Sequence, residues 1–170
     1  MARMFYRLTH VLLAVAVCGC STEARLPAAS GAALEPIAFF TGRTQGYGKL
    51  DKLFSDPVEV TVDSIGRRQG HTLMLDQTIR EGDKAPRLRR WTIRSVGPNR
   101  YLGTLTDAQG PVHITISGPR AYVRYKMEGG MNVEQQLALQ SDGRTVLNRL
   151  NVQKFGVRFA SLNETIRKLD

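Results

Sequence analysis

The chain has 170 residues, a formal net charge of +9 and a hydrophobic fraction of 42%. This length allows one domain whose own core is large enough to stabilise it. The basic residues are spread along the chain without a recognition-helix pattern, so we do not expect a nucleic-acid partner. A solvated basic surface is the simplest interpretation of the charge, and contact with anionic lipid or lipopolysaccharide is the alternative.

Residues 1–19 have the layout of a secretory signal peptide. Arg3 and Arg7 supply the basic start, and the apolar run VLLAVAV that follows is too short to span a bilayer as a helix. Gly19 directly precedes Cys20, whereas the A-x-A-like site of an ordinary signal peptide is absent. This spacing is typical of a lipobox, in which the cysteine thiol receives a diacylglyceryl group. The sequence therefore predicts lipidation of Cys20, with an ordinary signal peptide as the alternative.

The predicted lipid anchor on Cys20 places the mature protein at a membrane. It also leaves the mature chain without a free thiol. One acyl chain binds a membrane only marginally, at about 0.8 kcal/mol per buried CH₂, whereas two or more chains give a stable anchor. Ser21 rather than Asp at the second mature position predicts the periplasmic face of the outer membrane. Cys18 leaves with the signal peptide and Cys20 is modified, so no cysteine remains for a disulfide, catalysis or a metal. Residues 20–36, the lipidated cysteine and the small residues after it, are predicted to be a flexible linker.

Residues 37–170 are predicted to form one all-β domain. From Val58 onward, short runs of alternating apolar and polar residues are separated by turn motifs such as Ser141-Asp142-Gly143, with no long amphipathic helix between them. We expect a single antiparallel up-and-down barrel of about 8–10 strands, with a sandwich as the alternative. A barrel is favoured because closure removes exposed strand edges. At this size it is either filled by side chains or holds one small ligand.

A glycine-rich segment precedes the first predicted strand. Gly42, Gly46 and Gly48 lack the strand-then-helix context that a phosphate-binding loop requires. We interpret the segment as turn-rich chain that closes one end of the barrel, with Phe39 and Phe40 as a hydrophobic plug.

Short motifs extend over nearly the whole predicted domain. In chain order they are Phe39-Phe40-Thr41-Gly42, Gly46, Gly48, Arg89-Arg90-Trp91, Tyr101-Leu102-Gly103, Asp107, Asn148-Arg149 and Lys154-Phe155-Gly156. Each motif is weak alone, but the ordered set resembles a proteobacterial family of short lipoproteins that form a domain of unknown function. The resemblance implies a lipocalin-like barrel and a lipoprotein's location, and it implies no known reaction. Where that family has acidic residues, this chain has Gln77 and the run Glu134-Gln135-Gln136-Leu137, so we expect an inward carboxylate to be missing.

Polar side chains on the predicted inward faces are the candidate ligand-binding residues. The candidates are Arg89, Trp91, Tyr101, Tyr125, Gln135 and Asn148. A buried, unpaired polar group costs about 1–3 kcal/mol, so these side chains must pair with one another, hold water or meet a polar ligand. Arg89 would bind a carboxylate or phosphate head group in bidentate fashion, and the alternative is that it reaches solvent at the barrel mouth.

Three functions stay open at this point. His71 and His113 fit no metal-ligand or triad pattern, so we predict no metal, no cofactor and no catalytic residue. The leading hypothesis is a membrane-tethered protein that holds or passes a small amphiphile such as a fatty acid. The second is a structural or interaction lipoprotein of the cell envelope with a solid barrel. The third is an isomerase or cyclase that positions its substrate without a metal or nucleophile.

Overall fold

A closed barrel of antiparallel strands makes up most of the computed structural model, which describes residues 25–28 and 32–170. The strands are β1 (Gly42–Lys52), β2 (Ser55–Gln69), β3 (Thr72–Glu81), β4 (Arg87–Gly97), β5 (Arg100–Leu105), β6 (Val112–Ser117), β7 (Arg120–Met127), β8 (Met131–Leu139), β9 (Thr145–Lys154) and β10 (Val157–Lys168). Each strand pairs with the next, and β10 pairs with β1 to close the barrel. A short 3-10 helix, Glu128–Gly130, joins β7 to β8. The predicted all-β, up-and-down barrel is confirmed.

Strand β1 corrects the interpretation of the glycine-rich segment, which is not a turn-rich closure but a strand of 11 residues. A Cβ atom on Gly46 would overlap the carboxyl group of Glu164, and one on Gly48 would lie 2.6 Å from the carbonyl oxygen of Asn163. Glycine is therefore required where β1 packs against the side chains and backbone of β10. The same glycines remove the alternation by which a strand is recognised from sequence.

The helix α1 (Pro36–Phe40) covers one end of the barrel. Phe39 is buried with the barrel core, and its ring meets that of Phe40 edge-on at a centroid distance of 4.9 Å. The Lys168 ammonium donates to the carbonyl oxygens of Phe39, at 3.0 Å, and Thr41, so it neutralises the exposed C-terminal end of the helix. The predicted hydrophobic plug is confirmed, and we call this end of the barrel the closed end.

The segment before α1 also packs on the closed end. Leu34 is only 1% exposed, and its amide donates to the carbonyl oxygen of Gly118 at 2.9 Å. Leu26 is buried as well, and its carbonyl oxygen accepts from Arg120 at 2.6 Å. The prediction of a flexible linker is therefore wrong for residues 25–28 and 32–36. The predicted signal peptide and Cys20 lie outside the described residues.

The main core extends from α1 at the closed end along the inner faces of the strands, where apolar side chains are buried together. The most deeply buried of these are Leu34, Leu73, Val112, Val133 and Val146. A second, smaller cluster on the other half of the barrel wall contains Val60, Val62 and Ile79, with Leu50 and Leu162 packed against it. None of the helices in the described part of the chain is long and apolar enough to span a membrane.

Candidate functional site

The barrel encloses a cavity of about 260 Å³. It begins at Leu34 and Phe40 of the closed end and reaches the opposite rim, where Lys52, Glu81 and Arg87 lie at strand ends. We call this rim the mouth. The wall is mostly apolar and includes the whole Val60, Val62 and Ile79 cluster. Apolar walls with a few polar groups are the usual composition of a small-molecule site.

Arg89 and Asp107 form the charged part of the cavity near the mouth. Arg89 projects inward from β4 and has a side chain only 13% exposed. Its Nε donates to Asp107 Oδ2 at 3.1 Å, and Arg87 donates to the same oxygen at 2.6 Å. The Asp107 carboxylate thus pairs with two guanidinium groups. Together, Asp107, Arg87 and Arg89 carry a net charge of one positive unit.

A second carboxylate at the mouth repeats this arrangement. Glu81 accepts hydrogen bonds from Lys52 and from Lys84, the latter at 2.7 Å. Burial raises the pKa of Glu81, but these two ammonium groups more than offset it and hold the pKa below its usual value. Around these two shared carboxylates, four cations therefore surround two negative charges.

Glu164 and Asn148 form a buried polar pair deeper in the cavity wall. They are 8% and 3% exposed, and Asn148 Nδ2 donates to Glu164 Oε2 at 2.8 Å. Burial raises the pKa of Glu164, while the Asn148 hydrogen bond and the charge of Arg89 offset only part of this. A carboxyl group is therefore present inside the barrel on β10, while the positions where an inward carboxylate was expected to be missing carry Gln77 and Gln135.

Gln77 and Trp91 are already paired inside the cavity. The Trp91 indole donates to Gln77 Oε1 at 2.8 Å, and the Gln77 amide donates to Ser64 Oγ at 3.1 Å. The Trp91 ring also meets the ring of Tyr125 edge-on, with centroids 5.9 Å apart. These side chains thus provide a fixed aromatic wall, with the polar atoms of Trp91 and Gln77 already satisfied.

Two buried acceptors in the cavity wall lack a hydrogen bond. Neither Gln135 Oε1 nor Asn148 Oδ1 has a partner in the described part of the chain. The Tyr125 side chain lines the same cavity, and burial raises the pKa of its hydroxyl. Because an unsatisfied buried acceptor costs about 1–3 kcal/mol, this part of the wall is suited to a polar group that enters from outside.

The structure brings five of the six predicted site residues into the cavity wall. They are Arg89, Trp91, Tyr125, Gln135 and Asn148. Tyr101 is the exception and is not part of this wall, because its hydroxyl donates to Glu35 at 2.8 Å under the segment before α1. Burial and the neighbouring Glu35 raise the pKa of Tyr101 to about 12. Tyr101 therefore belongs to the packing of the closed end.

Sequence reasoning missed two carboxylates of the site. Glu164 alternates with Leu162 and Ile166 on β10, so strand parity alone could have placed it inside. Asp107 belongs to one of the quoted motifs, but its pairing with Arg89 depends on the turn after β5 and has no local signal. Among the described residues, no group of three or more His, Cys, Asp or Glu side chains could hold a metal ion.

The fold and the cavity define a lipocalin-like barrel with an internal site. The family described as "Protein of unknown function (DUF3833)" matches residues 14–168, and the chain belongs to this family. The predicted membership of a family of unknown function with such a barrel is confirmed. No curated protein matches the chain.

Two solved structures share the architecture. The S-type phycobiliprotein lyase CPES from Guillardia theta superposes with a TM-score of 0.61 at 5% identity, covering 79% of this chain and 90% of the lyase chain. Rv2717c from M. tuberculosis superposes with a TM-score of 0.58 at 13% identity, covering 81% of this chain and 99% of that chain. At these identities the likeness establishes the fold alone.

Proposed function

We propose that the barrel binds a small amphiphile, with an anionic head group near Arg89 and an apolar part against the Val60, Val62 and Ile79 cluster. The observation that carries this proposal is the hollow, mainly apolar cavity into which Arg89 projects, while the partnerless acceptors Gln135 Oε1 and Asn148 Oδ1 are suited to a donor group of the ligand such as a hydroxyl. A solid barrel with a structural role alone is less consistent with a space of about 260 Å³.

The charges around Arg89 favour an anionic head group. Asp107 occupies Arg89 Nε, and no hydrogen-bond partner of its terminal nitrogens is found among the described residues. A carboxylate or phosphate can accept from those nitrogens in a charge-assisted hydrogen bond. The excess of cations around Asp107 and Glu81 would attract the same head group locally.

The size of the cavity limits the ligand. Since each water-sized group occupies about 30 Å³, the cavity holds roughly nine such groups. A fatty acid of about six or seven carbons therefore fits inside, whereas a longer chain such as that of decanoate must extend through the mouth. The predicted lipid anchor on Cys20 and its location at the outer membrane remain part of this proposal, and the lipobox-like spacing supports them.

Trp91 gives a direct test, because it is the single tryptophan of the chain and lines the cavity. Purified protein is titrated with decanoate and, separately, with anilinonaphthalene sulfonate, while Trp91 emission is recorded. We expect saturable changes, and we expect Arg89→Gln to weaken decanoate binding by about tenfold. Arg90→Gln is the matched control, since Arg90 is exposed and pairs with Asp76 on the outer face. A titration without saturation, or equal affinities in the two variants, would overturn the proposal.

A further inference from the structure

Two hairpin tips at the mouth carry exposed aromatic side chains. Phe54, between β1 and β2, is 96% exposed, and Phe155, between β9 and β10, is 91% exposed. The hairpins are neighbours in the barrel, because the amide of Leu53 donates to the carbonyl oxygen of Phe159 at 2.9 Å. Together with the partly exposed Val157, these five residues form one apolar patch, which we call the tip patch.

Both phenylalanines occupy unusual backbone positions. Phe54 has a φ of 64° and Phe155 a φ of 52°, in the left-handed region where Gly, Asn and Asp are favoured at turns. A bulky aromatic residue is disfavoured there by sterics, and its exposure adds the cost of hydrated apolar surface. Neither the left-handed backbone nor the exposed ring stabilises the isolated barrel. Because both features occur on two adjacent tips, they indicate a surface used for contact.

We propose that the tip patch docks on a lipid bilayer that contains anionic lipid. Residues 153–159 hold two cations, Lys154 and Arg158, and no acidic residue, whereas residues 51–57 hold Lys52 with Asp51 and Asp56. The tip of Phe155 is therefore the one that is complementary to anionic head groups. The Lys154 ammonium lies 5.2 Å from the centroid of the Phe155 ring, which places a charge at head-group level when the ring enters the apolar layer.

The apolar surface continues from the tips into the barrel. On β10, Ala160 and Leu162 follow the tip patch and line the cavity, and Val152 of β9 lines it beside them. A bilayer that covers the tip patch would thus meet the mouth of the cavity. Two narrow aromatic tips beside cations match a lipid surface better than a flat protein interface, whose apolar core is broader and depleted of charge. This docking does not depend on which ligand the cavity binds.

Sedimentation with vesicles tests the proposal. Phosphatidylcholine vesicles with about 30% phosphatidylglycerol are mixed with the chain from Ser21 onward, which lacks the apolar run VLLAVAV and Cys20, and with its Phe54→Asn, Phe155→Asn double variant. Asn tolerates the left-handed backbone, so the variant is expected to fold. We expect the vesicle partition coefficient to fall by roughly tenfold in the variant, because two aromatic side chains no longer enter the bilayer.

Controls separate the tips from other causes of binding. Ile65→Ser removes a half-exposed apolar side chain from the outer wall near the closed end and should leave vesicle binding unchanged. Vesicles of phosphatidylcholine alone should bind less wild-type protein. Equal binding by wild type and double variant would overturn the proposal, as would an equal loss in Ile65→Ser. The Trp91 titration with decanoate should be unchanged in the double variant, so failure here is distinguishable from failure of the cavity to bind an amphiphile.

Discussion

Asn148 donates a hydrogen bond to Glu164 across β9 and β10, and the two residues lie directly opposite each other in the strand register. The pair is possible because Gly46 on the neighbouring β1 leaves room for the carboxyl group. The polar centre of the cavity wall thus consists of Glu164 and Asn148, with Gly46 beside them. Predictions about stability and ligand binding follow from this centre and from the closed end.

The buried carboxyl of Glu164 should make stability depend on pH in a particular direction. Its pKa is raised by burial, so above the unfolded value of about 4.3 the folded state binds more protons than the unfolded state. The contribution of Glu164 to the free energy of unfolding should therefore fall as pH rises from the unfolded pKa towards the folded pKa. Glu164→Gln keeps the acceptor for Asn148 and removes the titration. Urea unfolding at about pH 4.5 and about pH 8 should show the variant gaining stability relative to wild type at the higher pH. A difference that is constant with pH would contradict this.

Gly46→Ala should destabilise the barrel through overlap with Glu164. The new methyl group has to displace the carboxyl, and overpacking of this kind costs about 1–3 kcal/mol. Glu164→Ala removes the displaced group and is the natural partner in a double-mutant cycle. We expect Gly46→Ala to cost clearly less in the Glu164→Ala background, as measured by denaturant unfolding followed through Trp91. Equal costs in both backgrounds would show that the two positions are not coupled.

Leu34 should contribute to stability as a core residue does. It is almost fully buried at the closed end, so Leu34→Ala is expected to lower the free energy of unfolding by about 2–5 kcal/mol. Leu88→Ala is the matched control, because Leu88 lies on the exposed face of β4 and its truncation should change stability by less than about 0.5 kcal/mol. If the two variants unfold at the same denaturant concentration, residues 32–36 are not part of the domain.

Gln135→Leu should separate ligand binding from stability. The substitution nearly conserves volume and removes the unpaired Oε1, so the free energy of unfolding of the ligand-free protein should stay equal or rise by about 1 kcal/mol. Because Oε1 accepts and the decanoate carboxylate has no donor, decanoate binding should be unchanged, whereas binding of 1-decanol, whose hydroxyl can donate to Oε1, should weaken by roughly fivefold. Thermal unfolding and the Trp91 titration measure the two effects. A variant that is less stable than wild type would mean that Gln135 already has its partner within the protein.

Alternation along single strands was sufficient to predict most of the cavity wall. Inward positions in a strand repeat every second residue, so Arg89 and Trp91 on β4, or Tyr125 on β7, could be assigned without knowing their neighbours. The barrel itself followed from the number of strands and the shortness of the turns.

Features that depend on contacts distant in sequence could not be predicted in this way. Gly46 carries no side chain, so β1 lacks alternation, and its role depends on Glu164, far away in the chain. Tyr101 does point inward, but whether it meets the cavity or the closed end depends on where Glu35 lies. Leu34 sits among small residues without periodicity, so its burial has no local signal either.

If Cys20 carries the predicted lipid anchor, the packing of Leu26 on the closed end limits how far the tip patch can approach the same membrane. With Leu26 in place, the six residue steps from Cys20 to Leu26 reach at most roughly 21 Å, and they start at the end opposite the tip patch. A strand of 15 residues such as β2 runs for about 50 Å, and the strand tilt of a closed barrel shortens this to roughly 38 Å along the axis. If Leu26 detaches while Leu34 stays bound, the stretch from Cys20 to Leu34 reaches roughly 49 Å. Detachment of Leu26 would therefore lengthen the segment after Cys20 enough for the lipid anchor and the tip patch to contact the same bilayer.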